Sequence, residues 1–220
     1  MSILESIFLG LIQGLTEFLP VSSSGHLVFF ERLFGIKASI SFDLLLHVGT
    51  MVGVLIFYRK KIISLFKKPY DDIIKLIIAT FPVVIAILLF RKTAESFFSG
   101  DYLPFAFLIT AIVLTASEIF TKKVVNKTKN TITKGTALYM GLAQVVAIIP
   151  GISRSGMTIS AGLLDCPDRE KVADFSFLMS IPIIGGSMIV TLIEGAAFDV
   201  GAIPSVFGVI TAAVSSFFAI

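Results

Sequence analysis

The chain has 220 residues, of which 55% are hydrophobic and 15% charged, and its formal net charge is +3 at pH 7. Its mean hydropathy of +0.96 excludes an ordinary soluble domain, whose surface alone needs more charge than this. One cysteine and two histidines exclude an internal disulfide and a cysteine–histidine zinc cluster. The composition therefore predicts an integral membrane protein, and the first residues, with Glu5 and no basic stretch, predict no cleaved signal peptide.

The first predicted element is a helix interrupted by a polar break. Residues 1–19 form an apolar helix that carries Gln13 and Glu17, residues 20–26 break it, and residues 27–36 form a second apolar piece. Irregular backbone at membrane depth survives only inside protein or beside a water-filled cavity. This pattern therefore predicts a re-entrant helix hairpin, which enters and leaves the membrane on one side.

Apolar segments of spanning length follow, and the order then repeats. Spans are expected at 42–57, 76–90 and 103–120. The second series consists of a helix, a break, a short apolar piece and two spans, at 135–149, 150–156, 157–164, 172–195 and 202–220.

An internal sequence repeat underlies this order. Six residues recur 131 positions later: Gly10, Leu11, Gln13, Ser22, Ser24 and Gly25 return as Gly141, Leu142, Gln144, Ser153, Ser155 and Gly156. One hairpin and three crossings bring the chain to the opposite face, so the second copy is expected to be inverted, with the two hairpins meeting near the midplane. The fold class expected is an all-α polytopic membrane protein of two inverted repeats.

This repeat also sets the expected domain organisation. A single integral membrane domain covers 1–220, with repeat 1 at about 1–131 and repeat 2 at about 132–220. The counterpart of the span at 103–120 would fall near 234–251, so the last span of repeat 2 is expected to be missing from this chain.

The basic residues favour one orientation. Thirteen basic residues lie on one predicted side of the membrane, in loops 58–75 and 121–134 and at Arg169 and Lys171. Four lie on the other side, which includes loop 91–102. Excess positive charge marks the cytoplasmic side, so the N-terminus is expected outside. The remaining basic residue, Arg154, lies in the second break.

Glu17 is the residue hardest to explain as structure. A charge at membrane depth costs at least about 2.5–3.5 kcal/mol, so it needs a partner or a cavity. Gln13 and Glu17 are four residues apart and share one helix face, which directs an amide and a carboxylate towards the first break. In the alternative interpretation, Glu17 is a structural residue held by the opposite hairpin.

Both breaks have the composition of an anion site. Backbone N–H groups of residues 22–25 would point at an anion near a positive helix end, and residues 153–156 add the guanidinium of Arg154, which suits phosphate oxygens. Helix capping by the serines is the alternative. His26 can donate, accept or attack near neutral pH. Asp43 and His47 are interpreted as a helix-start carboxylate and a buried, hydrogen-bonded histidine, with a supporting role at the site as the second interpretation.

Two segments carry a family resemblance. Gln13-Gly-Leu-Thr-Glu17 with Pro20-Val-Ser-Ser-Ser-Gly-His26, and Pro150-Gly-Ile-Ser-Arg-Ser-Gly-Met-Thr158, resemble the signature motifs of the undecaprenyl-diphosphate phosphatases linked to bacitracin resistance. The resemblance implies an enzyme that removes the terminal phosphate of a polyprenyl diphosphate and requires Mg²⁺ or Ca²⁺. It implies that four motif residues are catalytic, namely Glu17, Ser23, His26 and Arg154. The metal ligands expected are Gln13 and Glu17, and the phosphate-binding residues expected are Ser22, Ser24, Gly25, Ser153, Ser155, Gly156 and Thr158.

We therefore expect a multi-pass membrane enzyme whose active site faces the outer leaflet. Its partners would be a polyprenyl diphosphate substrate and membrane lipids, without nucleic acid, and a homodimer is left open. The nucleophile is also left open between water, Ser23 and His26. The alternatives are an inverted-repeat transporter or flippase of a lipid phosphate, and a non-catalytic subunit whose Arg154 and Glu17 only lock the two halves.

Overall fold

A computed structural model of the chain describes residues 1–96, 101–124, 131–195 and 200–220. All regular secondary structure within these ranges is helical. The helices are α1 (Ile3–Thr16), α2 (Ser23–Phe34), α3 (Ile40–Phe57), α4 (Arg59–Leu65), α5 (Asp71–Ser96), α6 (Leu103–Val124), α7 (Lys134–Val146), α8 (Arg154–Leu163), α9 (Arg169–Ile193) and α10 (Ala202–Ala219).

Five of these helices, namely α3, α5, α6, α9 and α10, are long and apolar enough to cross a membrane. They confirm the five predicted spans. The expected connection 58–75 contains α4 and the start of α5. Residues 97–100 of the expected loop 91–102, and residues 125–130 of the expected loop 121–134, lie outside the described residues.

The remaining long apolar segments form two pairs of short helices. At 14 and 12 residues, α1 and α2 are each well short of the ~30 Å hydrocarbon core. The ring of Phe8 in α1 contacts Phe34, at the end of α2, edge to face. In the second pair, Thr136 at the start of α7 donates a hydrogen bond to Asp165, just beyond the end of α8. In each pair the second helix therefore returns alongside the first.

Both breaks lie earlier in the chain than the sequence predicts, which corrects the expected boundaries. Helix α2 begins at Ser23 instead of residue 27, and α8 begins at Arg154 instead of residue 157. Serine is a favoured residue at helix starts, and Ser153 caps α8 by accepting a hydrogen bond from the N–H of Gly156 at 3.0 Å. The polar motif residues after Ser22 and Ser153 thus form first helical turns, whose N–H groups lack intrahelical acceptors.

The repeat is visible in the helix positions. Helices α1, α2 and α5 begin 131 residues before α7, α8 and α10, and α9 begins two residues earlier than the same offset from α3 would give. The chain folds into two compact units, of which unit 1 contains 1–19, 23–59 and 180–220, and unit 2 contains 20–22 and 60–179. In unit 1, α10 packs on α1 and α3, and in unit 2, α5 packs on α7. Each short helix pair therefore packs against a spanning helix that belongs to the other copy.

A duplicated glycine permits both of these contacts. A Cβ on Gly10 would lie 2.5 Å from the carbonyl oxygen of Gly208 in α10, and a Cβ on Gly141 would lie 2.3 Å from that of Ala79 in α5. Small residues let helix backbones approach closely, which is how membrane helices commonly associate. The recurrence of this glycine in the sequence therefore has a packing explanation.

Candidate active site

Glu17 is held at the end of α1 by the helix turn that precedes it. The side chain of Gln13 is fully buried, and its Nε2 donates a hydrogen bond of 2.9 Å to Oε2 of Glu17. Glu17 is itself 5% exposed. The spacing of four residues thus places the amide against the carboxylate, as the helical pattern predicts.

Ser23 contacts the same carboxylate from the start of α2. Its Oγ donates a hydrogen bond of 2.5 Å to Oε2 of Glu17. Ser22, the residue before α2, has a left-handed backbone with φ of 69°, which non-glycine residues seldom adopt and which often marks functional sites. A hydroxyl that donates to a buried carboxylate is the arrangement of a nucleophile with its general base.

His47 of α3 lies next to Glu17, although the sequence favours a purely structural role for this histidine. Its Nε2 lies 3.6 Å from Oε2 of Glu17, and its Nδ1 lies 2.7 Å from the carbonyl oxygen of Asp43, one turn earlier. The histidine is therefore hydrogen-bonded, as the first interpretation expects, but half-buried instead of buried. Its position next to Glu17 is the one that the second interpretation requires. The sequence feature that points to this residue is a histidine within a predominantly apolar span.

The other predicted residues of the first motif lie in or next to the first turn of α2. Ser22 and Gly25 are buried, whereas Ser24 and His26 are half-buried. His26 lies three residues after Ser23 and therefore on the same face of α2. Its ring centroid lies 6.5 Å from that of Phe30.

The second motif is built around the start of α8. The hydroxyl of Thr110 in α6 accepts a hydrogen bond from the N–H of Ser153 at 3.0 Å. The Oγ atoms of Ser153 and Ser155 are 3.2 Å apart, and Arg154 is the first residue of the helix. Thr158 differs from these residues because its hydroxyl lies 2.6 Å from Oγ of Ser176 in α9 and takes part in helix packing. Ser153 therefore caps α8, as the alternative interpretation expects. The start of α8 is also the positive end of the helix dipole.

The two copies differ in charge at equivalent positions. Gln144 is the counterpart of Gln13 and is 2% exposed, yet neither its Nε2 nor its Oε1 has a hydrogen-bond partner among the described residues. The position that corresponds to Glu17 is Ile148. Only the first copy therefore contains the pair of amide and carboxylate.

The donor atoms at Glu17 fit a hard divalent cation. Oε1 of Gln13 is buried without a hydrogen-bond partner in the described part of the chain, next to the carboxylate of Glu17. Carboxylate and amide oxygens are ligands of Mg²⁺ and Ca²⁺, and Mg²⁺ in particular often takes one or two protein ligands together with substrate phosphates. No group of three His, Cys, Asp or Glu side chains that could hold a metal occurs in the ranges described.

A second carboxyl pair occurs in unit 1. Asp43 of α3 is 8% exposed, and its side chain is hydrogen-bonded to that of Glu31 in α2. Burial raises the pKa of Glu31, and the hydrogen bond with Asp43 offsets part of this effect. Oε1 of Glu31 and Oδ1 of Asp43 are buried and make no hydrogen bond within the described ranges. The proximity of the two acidic groups therefore favours a shared proton over two full charges.

The described residues form five helices able to span a membrane, two pairs of short helices and a buried carboxylate at the first break. These features define a polytopic membrane protein with a polar site in its first helix pair. The family model described as bacitracin resistance protein BacA matches residues 6–220. The chain belongs to this BacA family, which confirms the family expected from the two motifs.

Three relatives of the chain carry the name undecaprenyl-diphosphatase. The relative from Methanobrevibacter smithii is 38% identical, and that from Carboxydothermus hydrogenoformans is 42% identical; each alignment covers the whole chain and 87% of the relative. A relative from Thermosipho africanus is 43% identical over 84% of the chain and 76% of its own length.

Proposed function

We propose that the protein is a polyprenyl diphosphate phosphatase, which hydrolyses undecaprenyl diphosphate to undecaprenyl monophosphate and inorganic phosphate. Membership of the BacA family and the shared name of its relatives support this reaction. The observation that carries it is the hydrogen bond from Ser23 to the buried carboxylate of Glu17. Regenerating a carrier lipid in this way fits a role in cell wall synthesis and in resistance to bacitracin.

The contact between Ser23 and Glu17 favours Ser23 among the nucleophiles left open by the sequence. In the first step Glu17 accepts the proton of Ser23, Oγ bonds to the terminal phosphorus, and the bond from that phosphorus to the bridging oxygen breaks. His26, on the same face of α2, gives its proton to the bridging oxygen of the departing lipid monophosphate. In the second step water attacks the phosphoserine, His26 takes the water proton, and Glu17 returns a proton to Oγ as phosphate leaves.

The developing charge on the phosphoryl group needs positive partners. The first-turn N–H groups of α2 and α8 are suited to phosphate oxygens, and Arg154 offers two donors in one plane. We assign Arg154 to phosphate binding because the second motif carries the family resemblance together with the first. Arg154→Lys keeps the charge and loses the planar fork, so we expect it to retain more activity than Arg154→Ala and less than wild type.

A divalent cation held by Gln13 Oε1 and the Glu17 carboxylate would supply positive charge to the diphosphate oxygens when bound. With this cation bound, Ser23, Glu17 and His26 would keep the roles described above. Gln13 would orient the carboxylate, and burial of the pair would keep bulk water away from the phosphoserine.

The orientation proposed for the membrane is that of re-entrant helix pairs with the N-terminus outside and the site open to the outer leaflet. Two ion pairs in unit 2 support it, Lys61–Asp174 at 2.8 Å and Arg169–Glu118 at 2.6 Å. They join segments that the basic residues assign to the cytoplasmic side. Labelling of single cysteines in a Cys166→Ser background tests this orientation, because Lys37→Cys should react from outside and Lys68→Cys from the cytoplasm.

Phosphate release by the purified protein in detergent tests the function. We expect wild type to release phosphate from undecaprenyl diphosphate and Glu17→Gln to lose at least ~100-fold of this activity. Glu5→Gln is the matched control, since it makes the same change in the same helix, and glutamine can replace glutamate in the capping box with Ser2. No phosphate release by folded wild type would overturn the proposal, and movement of the intact lipid across liposomes would favour the transporter instead.

A further inference from the structure

We propose that His47 is a positioning residue for Glu17 in the reaction above, so the inference rests on the proposed phosphatase function. His47 belongs to α3 and lies outside both signature motifs. Its Nε2 is 3.6 Å from the same Oε2 atom that accepts hydrogen bonds from Gln13 and Ser23.

The orientation of the imidazole is fixed from the other side of the ring. A carbonyl oxygen only accepts hydrogen bonds, so at 2.7 Å from the carbonyl of Asp43 the Nδ1 atom of His47 carries a hydrogen and donates it. The carbonyl belongs to the preceding turn of the same helix, which ties the ring to the α3 backbone. Nε2 is therefore the ring atom that faces Glu17, and it donates to the carboxylate when it too carries a hydrogen.

The carboxylate is consequently approached from three helices. Gln13 lies on α1, Ser23 begins α2, and His47 lies on α3, which itself packs against α1 and α10. The first two belong to the helix pair that carries the reacting groups, whereas His47 links the carboxylate to a spanning helix. The side chain of Glu17 is 3% exposed and that of His47 is 22% exposed, so water has little access to the carboxylate.

A residue that orients the base without touching the substrate should affect turnover more than substrate binding. A displacement of ~1 Å at a reacting group can cost ~100-fold in rate. We therefore expect His47→Leu, which removes both ring nitrogens, to lower kcat by about 10-fold to 100-fold while KM changes by less than about threefold.

Conservative replacement separates positioning from simple packing. Glutamine can place an amide nitrogen near the position of Nε2, so His47→Gln should keep at least about a third of wild-type kcat. Asparagine carries the same amide on a side chain shorter by one methylene, so His47→Asn should resemble His47→Leu. The control is Thr50→Val, a nearly isosteric change on the same helix that removes only a hydrogen bond to the carbonyl of His47 and should leave kcat unchanged.

The experiment measures kcat and KM for phosphate release, with the thermal midpoint of each variant in detergent. If wild type and Thr50→Val are active and all three His47 variants match them, the positioning role is wrong while the proposed function stands. Equal losses in His47→Gln and His47→Leu, or a loss confined to KM, would also overturn it. If His47→Leu does not fold, the comparison between glutamine and asparagine decides the question. Absence of activity in wild type would instead reject the proposed function.

Discussion

Gln13 and Gln144 occupy equivalent positions in the two copies, yet Gln13 is hydrogen-bonded to a carboxylate and Gln144 has no hydrogen-bond partner among the described residues. Both side chains are almost fully buried. Ile148 stands at the position that corresponds to Glu17, so Gln144 has no carboxylate four residues later to bind its amide. In the part of the chain that is described, the two copies share helix positions and differ in chemistry.

We expect Gln144→Leu to stabilise the protein. A buried polar group without a partner costs about 1–3 kcal/mol, and leucine removes that cost at similar volume. The free energy of unfolding should rise by about 1 kcal/mol, with phosphate release unchanged. Gln13→Leu is the matched comparison and should lower activity because it removes a partner of Glu17. A large loss of activity in Gln144→Leu would mean that this amide binds a ligand.

Ser23→Ala should remove a covalent intermediate. The expected result is a loss of at least ~100-fold in kcat, since the reaction would lose its nucleophile. Acid quenching of wild type with substrate labelled on the terminal phosphate should trap labelled protein, and Ser23→Ala should trap none. Ser24→Ala should raise KM and still form the labelled protein. Normal turnover by Ser23→Ala would instead identify water or His26 as the attacking group.

Removal of divalent cations should stop phosphate release, and added Mg²⁺ or Ca²⁺ should restore it. Gln13→Ala removes one proposed oxygen ligand, so the cation concentration for half-maximal activity should rise by about 10-fold to 100-fold. Gln13→Glu retains an oxygen ligand but loses the N–H that donates to Glu17, so it should keep more activity than Gln13→Ala and less than wild type. A cation dependence identical in Gln13→Ala and wild type would assign the cation to the substrate or to other residues.

Gly141→Ala should destabilise the protein by about 1–3 kcal/mol, because the new Cβ would overlap the backbone of Ala79. Gly186→Ala provides the control: it lies inside α9, and an added Cβ there would meet no atom within 4 Å. That change should be neutral or stabilising by up to about 1 kcal/mol through helix propensity. Thermal unfolding in detergent measures both variants, and equal midpoints would refute the close contact of α5 with α7.

Glu31 should make stability depend on pH. Burial raises its pKa in the folded state, so the unfolded chain gives up this proton more readily than the folded one. The destabilisation by a buried Glu31 carboxylate is absent below the pKa of Glu31 in the unfolded chain and complete above its pKa in the folded protein. The free energy of unfolding therefore falls as pH rises between these two values. Glu31→Gln removes it, so the gain in thermal midpoint over wild type should be larger at about pH 7.5 than at about pH 5. An equal gain at both values would contradict this assignment, and Glu170→Gln, at an exposed position, is the control.

Much of the fold could be predicted because its signals are local. The five spans follow from continuous apolar runs, and the contact of Gln13 with Glu17 follows from a helical spacing of four residues. The sequence predicts later helix starts than Ser23 and Arg154, because a polar serine-rich stretch suits a loop and a first helical turn equally well.

The contacts that the sequence left undetermined join distant segments. His47 lies 30 residues from Glu17 and in a separate helix, so no periodicity connects them. The packing of α10 on α1 and α3 depends on glycines that are close only in three dimensions. Such contacts require tertiary structure.

The packing of α10 between α1 and α3 also affects how the protein is made. The ribosome synthesises α1, α2 and α3 first, and α10 follows about 145 residues after the end of α3. Until that helix is inserted, α1 and α3 lack the helix that packs on both of them. Nascent chains interrupted before residue 202 would therefore reach the membrane with Glu17 present but without the helix that supports it.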